Sequence, residues 1–161
     1  MGGQAMRAKN PTLDPQDRPY SHPPMAPEER TRFGQDWFTY VMHNGPPVPD
    51  SPFYYNGISN FVFGEMWSRP GLDVKTRRWI TLACVGAADA VGPIRSHVYA
   101  ALKSGDITLD EMREFILHFA VYLGWPKASM LQATTDEMWT RVQDEGGVEA
   151  YEPPDIADYR L

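Results

Sequence analysis

Between positions 27 and 146, apolar residues recur every three or four positions, the spacing of one face of an α-helix. No stretch alternates with a period of two for long enough to read as a strand, so the pattern predicts an all-α domain of about six helices. The first opens at Pro27, whose missing N–H costs nothing in a first turn, and Glu28 and Glu29 suit the positive end of the helix dipole. It carries Phe33, Trp37, Tyr40 and Val41 on one side and ends at Gly45. The second covers Phe53 to Trp67, with Tyr54, Ile58, Phe61, Val62 and Met66 expected on one face, and Pro70-Gly71 stops it.

Asp73 is placed to cap a third helix running through Trp79, Ile80, Ala83 and Cys84. That helix is apolar nearly all round after Arg78, which predicts a central, buried position and a buried Cys84. After a break at Asp89 to Gly92, Pro93 begins a fourth helix that closes at Gly105. Thr108 and Glu111 form a capping box for the fifth, which holds Phe115, Leu117, Phe119, Val121 and Tyr122 and ends at Gly124. Pro126 starts the sixth, with Met130, Leu131, Met138 and Val142 inward and Gly146 beyond its end. Trp37, Met66 and Met130 read as core.

The flanks have a different composition. Residues 1–27 contain Pro11, Pro15, Pro19, Pro23, Pro24 and Pro27 and predict an extended arm, because proline removes a helix donor and fixes its own backbone. Residues 147–161 are acidic and contain Pro153-Pro154, which predicts an irregular tail. The helical domain is bounded at 28–146.

Composition narrows the function classes. With 15 Lys and Arg against 21 Asp and Glu, the net charge is −6, and no basic stripe marks a nucleic-acid or anionic-membrane surface. No apolar run approaches the ~20 residues that span a bilayer. The N-terminus lacks the charged-then-apolar order of a secretory signal. Cys84 is the only cysteine, so one chain can form neither a disulfide nor a two-thiol redox cycle, and a reducing cytoplasm is the expected compartment.

Two segments carry a resemblance. The first runs from Gly64 to Leu72 (GEMWSRPGL) and continues from Lys75 to Ala83 (KTRRWITLA). The second is Ser96 to Gly105 (SHVYAALKSG), followed by Thr108 to Glu111 and by Leu117 to Pro126 (LHFAVYLGWP). Together they resemble the carboxymuconolactone decarboxylase family, which also contains alkylhydroperoxidase D. The resemblance implies an all-α fold that self-associates, commonly as a homotrimer or homohexamer. It also implies two departures. The Cys-x-x-Cys-x-x-x-His motif of the peroxidase branch, aligned on His97, puts Ala90 and Pro93 at the thiol positions. A peroxidase needs a thiolate, so that activity is disfavoured. Many members also carry Glu where this chain has Arg78.

The thiol-free branch implies a lyase that releases CO₂ from a carboxylated, unsaturated or ring-containing small molecule in a catabolic pathway. Such chemistry needs no cofactor when the substrate's own carbonyl system accepts the electrons. The protein must then supply a cation, a proton-transfer group and a dry pocket. His97 is the first candidate for proton transfer, since imidazole ordinarily titrates near neutrality, with Glu65 as its partner. Glu65 lies near the negative end of the second helix, where a carboxylate gains no stability. Arg95, Arg78 and Arg77 are candidates to hold a substrate carboxylate. His118, Tyr122 and Trp67 are candidates to line the pocket, although core packing or an interface is the plainer role for each. A metal site made of His97, His118 and Glu65 has no local ligand spacing to support it, and none is expected. The alternative from another class is a non-catalytic oligomer that binds a ligand or partner, and an isomerase or hydrolase using the same histidine is indistinguishable at this level.

Overall fold

The computed structural model describes residues 25–159, and the described chain is all-helical. The helices are α1 (Pro27–Met42), α2 (Phe53–Trp67), α3 (Val74–Ala87), α4 (Val91–Ser104), α5 (Leu109–Leu123) and α6 (Trp125–Asp144), followed by a short 3₁₀ turn at Ile156–Asp158. The proline-rich arm lies outside the described residues apart from its last three. None of the described helices is long and apolar enough to cross a membrane.

Local signals act where the sequence puts them. The Asp73 carboxylate accepts the Thr76 backbone N–H at 2.7 Å and caps α3. Thr108 and Glu111 complete the reciprocal capping box of α5. Gly105 closes α4 in the left-handed region at φ 75°.

Two apolar clusters result. Leu82 of α3, Ile94, Val98 and Leu102 of α4, Met112, Ile116 and Phe119 of α5, and Leu131, Met138 and Val142 of α6 bury one another. Phe33, Trp37, Val41 and Met42 of α1 pack with Phe63 and Trp67 of α2 and with Tyr159 from the tail. Helix α1 lies so close on α2 that a Cβ at Gly34 would stand 2.0 Å from the Ser59 carbonyl oxygen. Only glycine permits that approach.

Helix α2 departs from the expected 3.6-residue face. It winds as a π-helix, and with i→i+5 bonding its faces recur at a wider interval. Ser59, Phe63, Gly64 and Trp67 are therefore buried, whereas Tyr54, Phe61 and Met66 are exposed. Met66 is thus not a core residue. Helix α3 is also less central than its composition predicts: Arg78, Leu82 and Gly86 are buried, while Ile80 and Cys84 are exposed. On α5, Met112, Ile116, Phe119 and Ala120 form the inner face, and Leu117, Val121 and Tyr122 look outward.

The acidic tail is irregular up to the 3₁₀ turn, yet it is docked. Buried Lys103 donates to the carbonyls of Glu145 and Gly147 at 3.2 and 2.8 Å, fixing where the chain leaves α6. Glu149 N–H donates to the Lys103 carbonyl at 2.8 Å. Further on, the Tyr159 hydroxyl donates to Asp36 at 2.6 Å, and its ring meets Phe33 edge-on at 4.8 Å.

Candidate active site

The two clusters meet where Trp67, the last residue of α2, stacks on His97 of α4, with ring centroids 6.2 Å apart and planes within 11°. Burial pushes the His97 imidazole down to about 4, and the nearby Arg78 guanidinium pushes in the same direction. The near-neutral titration expected of this histidine is therefore not its resting property. At neutral pH it is an uncharged imidazole.

Trp67 also lines a cavity of about 260 Å³ with Met66, Leu72, Arg77, Ile80 and Thr81. Arg77 is the one charged side chain in that lining. Its Nη2 donates to the Arg69 carbonyl at 2.9 Å, which fixes the guanidinium plane, while its buried Nε has no partner. Burial and the charge of Arg69 hold Arg77 below the usual guanidinium range. A fixed cation in a largely apolar lining is suited to a carboxylate oxygen.

Arg78, next along α3, points into the protein. Only 2% of it is exposed, and its Nε donates to Asp106 at 2.7 Å, while Nη1 is buried without a partner. Burial holds this guanidinium below its ordinary range against the opposing pull of Asp106. Its charge is felt by Tyr40 of α1 and by His43, the residue that follows that helix. His43 is a non-glycine residue in the left-handed region, at φ 50°, where it caps α1. It is 7% exposed, and neither ring nitrogen has a partner. Burial, then Arg78, pushes its imidazole down to about 4. Tyr151 of the tail covers it, the rings stacked at 4.1 Å.

The remaining candidates lie elsewhere. Glu65 pairs weakly with Arg30 of α1 at 3.7 Å, and among the described residues no hydrogen bond joins it to His97. The expected Glu65–His97 partnership is not made, because the π-helical turn presents Trp67 to the imidazole instead. Arg95 is half-exposed and grips both carboxylate oxygens of Glu137 on α6, with Nη2 to Oε1 at 2.6 Å. Its fork is committed to that surface pair. His118 is exposed on α5, its ring 5.0 Å from Tyr122, itself 74% exposed; both belong to the outward face and not to the core. Among the described residues, His, Cys, Asp and Glu form no group of three or more able to hold a metal ion.

Nothing in the sequence pattern singles out His43, Tyr40 or Asp106. His43 reads as a helix-end residue before Asn44-Gly45, and Asp106 as a turn former after Gly105. Asp106 matters because it pairs with buried Arg78, and His43 and Tyr40 because they feel that charge.

Residues 52–136 match the sequence model of the Carboxymuconolactone decarboxylase family. The chain belongs to that family. It is 37% identical over 86 residues to a 4-carboxymuconolactone decarboxylase of Acinetobacter baylyi, covering 53% of this chain and 63% of the relative. It is also 34% identical over 89 residues to a nitrosuccinic acid decarboxylase of Metarhizium robertsii, covering 55% and 62%. The chain thus spans somewhat less than two thirds of the length of either relative. The stretch matched to the carboxymuconolactone decarboxylase family contains Trp67, Arg77, Arg78, His97 and Asp106. Tyr40 and His43 precede it and Tyr151 follows it.

Proposed function

We propose that this protein is a cofactor-independent carboxy-lyase acting on a small unsaturated or ring-containing acid. The family and the two decarboxylases similar to it support a decarboxylase-type activity. The observation that carries the reading to this chain is the junction at Trp67, which joins a half-buried neutral imidazole to a cavity whose lining holds one fixed guanidinium.

In this reading Arg77 binds a substrate carboxylate, and Trp67, Met66, Leu72 and Ile80 offer apolar surface to the ring. The C–C bond to the departing carboxylate breaks, CO₂ leaves, and the electron pair enters the substrate's own conjugated carbonyl system. A proton then returns to carbon. His97 is the donor: a bound anion offsets the field of Arg78 and raises the imidazole pKa, so the proton is taken up as substrate arrives. Glu65 is paired with Arg30, and Arg95 anchors α4 to α6.

The outward apolar face formed by the end of α5 and the start of α6, with Val121 and Tyr122 each 74% exposed and Trp125 67% exposed, is large for a free surface. We read it as the contact with further copies of the chain, in a homotrimer or homohexamer.

The test is CO₂ release from a panel of carboxylated unsaturated lactones and activated small diacids. His97→Asn should lower kcat at least about a hundredfold, the scale of a lost general acid. Arg77→Ala should act chiefly on KM. If no acid in the panel loses CO₂ faster than in buffer, or if His97→Asn turns over like the wild type, the reading is wrong.

A further inference from the structure

A second cavity, of about 320 Å³, lies between the end of α1, the start of α4 and the second half of α6. That volume falls in the roughly 300–1,000 Å³ range of small-molecule sites. The cavity shares no lining residue with the one beside Trp67. Phe38, Met42 and Met138 give it an apolar wall, and Arg95 and Arg141 give it two cations. Among the described residues no acidic side chain lines it. We propose that this cavity is a second ligand site, for a small aromatic or alicyclic carboxylic acid, and that Arg141 grips the carboxylate. It stands on its own residues and does not depend on the lyase reading.

The two arginines differ in what they have left to offer. Arg95 holds Glu137 with both Nη1 and Nη2, so its fork is closed and it contributes only its charge. Arg141 uses Nε alone, donating to Glu145 at 2.8 Å. Among the described residues its two Nη groups make no hydrogen bond, and the Nη1–Nη2 edge is the fork that takes a carboxylate bidentately. That edge is held in place. The guanidinium carbon lies 4.1 Å from the centre of the Tyr99 ring, and the Tyr99 hydroxyl donates to the same Glu145 at 2.6 Å. Gly92 brings the first turn of α4 to the same lining, and the positive end of a helix dipole also favours an anion. Glu137 and Glu145 offset the two cations, and both arginines are half-exposed, so attraction is short-ranged and weakened by salt. Selectivity therefore comes from the directed pair of N–H groups together with the apolar wall, which suits an acid carrying a ring.

Benzoate is the probe, with benzamide as its neutral counterpart, titrated into the full chain at low salt and followed through the methionine methyl resonances. An aromatic ring shifts the methyls it touches. Met42 and Met138 report this cavity, and Met66 reports the one beside Trp67. Benzoate should shift Met42 and Met138 saturably, and benzamide should bind there at least about threefold more weakly. Arg141→Gln should weaken benzoate at Met42 and Met138 about three- to fivefold, the upper scale of an exposed ion pair. Arg77→Ala should leave those two shifts and their affinity as in the wild type. No saturable shift of Met42 and Met138, equal binding of benzamide, or unchanged affinity in Arg141→Gln overturns the proposal. A shift confined to Met66 overturns it too, and assigns the acid to the Trp67 cavity. The two readings fail separately: benzoate held through Arg141 with no CO₂ release from any acid sinks the lyase and leaves this site.

Discussion

Replacing Asp106 by alanine removes the only hydrogen-bonded partner, among the described residues, of a guanidinium that is 2% exposed. Arg78 Nη1 is already without an acceptor, so the variant leaves Nε unsatisfied as well and a charge uncompensated in the interior. Breaking one side of a fully buried pair costs about 3–5 kcal/mol. The Asp106 side chain is 31% exposed, so water can reach the vacated position and the lower end applies, about 3 kcal/mol. For a chain of this length that corresponds to a fall in Tm of about 6–12 °C. Urea unfolding at fixed protein concentration measures it directly. Arg78→Met with Asp106→Leu supplies the second arm. Removing both charges abolishes the desolvation cost along with the attraction, so the double variant should recover most of the stability lost in Asp106→Ala. An Asp106→Ala protein within about 0.5 kcal/mol of the wild type would refute the claim that Arg78 is a buried charge held by this carboxylate.

Both His43 and His97 are pushed down to about 4 in the folded chain, from an ordinary value near 6.5, so they make stability depend on pH. Between those values the unfolded chain binds the extra protons. Stability is therefore complete above about 6.5 and is lost as the pH falls toward 4, by about 3 kcal/mol for the nearly enclosed His43. Unfolding midpoints at pH 7.5 and 5 should show about 2 kcal/mol of that fall, and His43→Asn should reduce it. Gly34→Ala should destabilise by more than the ~1–3 kcal/mol of ordinary overpacking, because the obstacle is the Ser59 backbone at 2.0 Å and not a flexible side chain; thermal melting by circular dichroism reads it, and a melt like that of the wild type would contradict the close approach of α1 to α2. Replacing Val121 and Tyr122 by glutamate should lower the sedimenting mass while leaving helix content intact, since both side chains lie outside the described core.

The sequence by itself determined the helices and their ends. Prolines, the Asp73 cap, the Thr108–Glu111 box and the glycines after α4 and α5 act within a few residues of backbone, so their effect is local and readable in order. The family was legible for a similar reason, since contiguous segments around Arg77, His97 and Leu117 carry it. What only the tertiary structure decided is which apolar face is inward and which polar groups meet. Tyr54, Phe61 and Met66 are apolar, yet the π-helical winding of α2 turns them outward and turns Trp67 toward His97. Helix α5 is apolar on two faces, and periodicity cannot tell a face buried within the chain from one that another chain would cover. Arg78 is paired with Asp106 and His43 is stacked on Tyr151, partners far apart along the chain. Burial of an ion is a property of everything packed around it, and no local pattern along the chain encodes that.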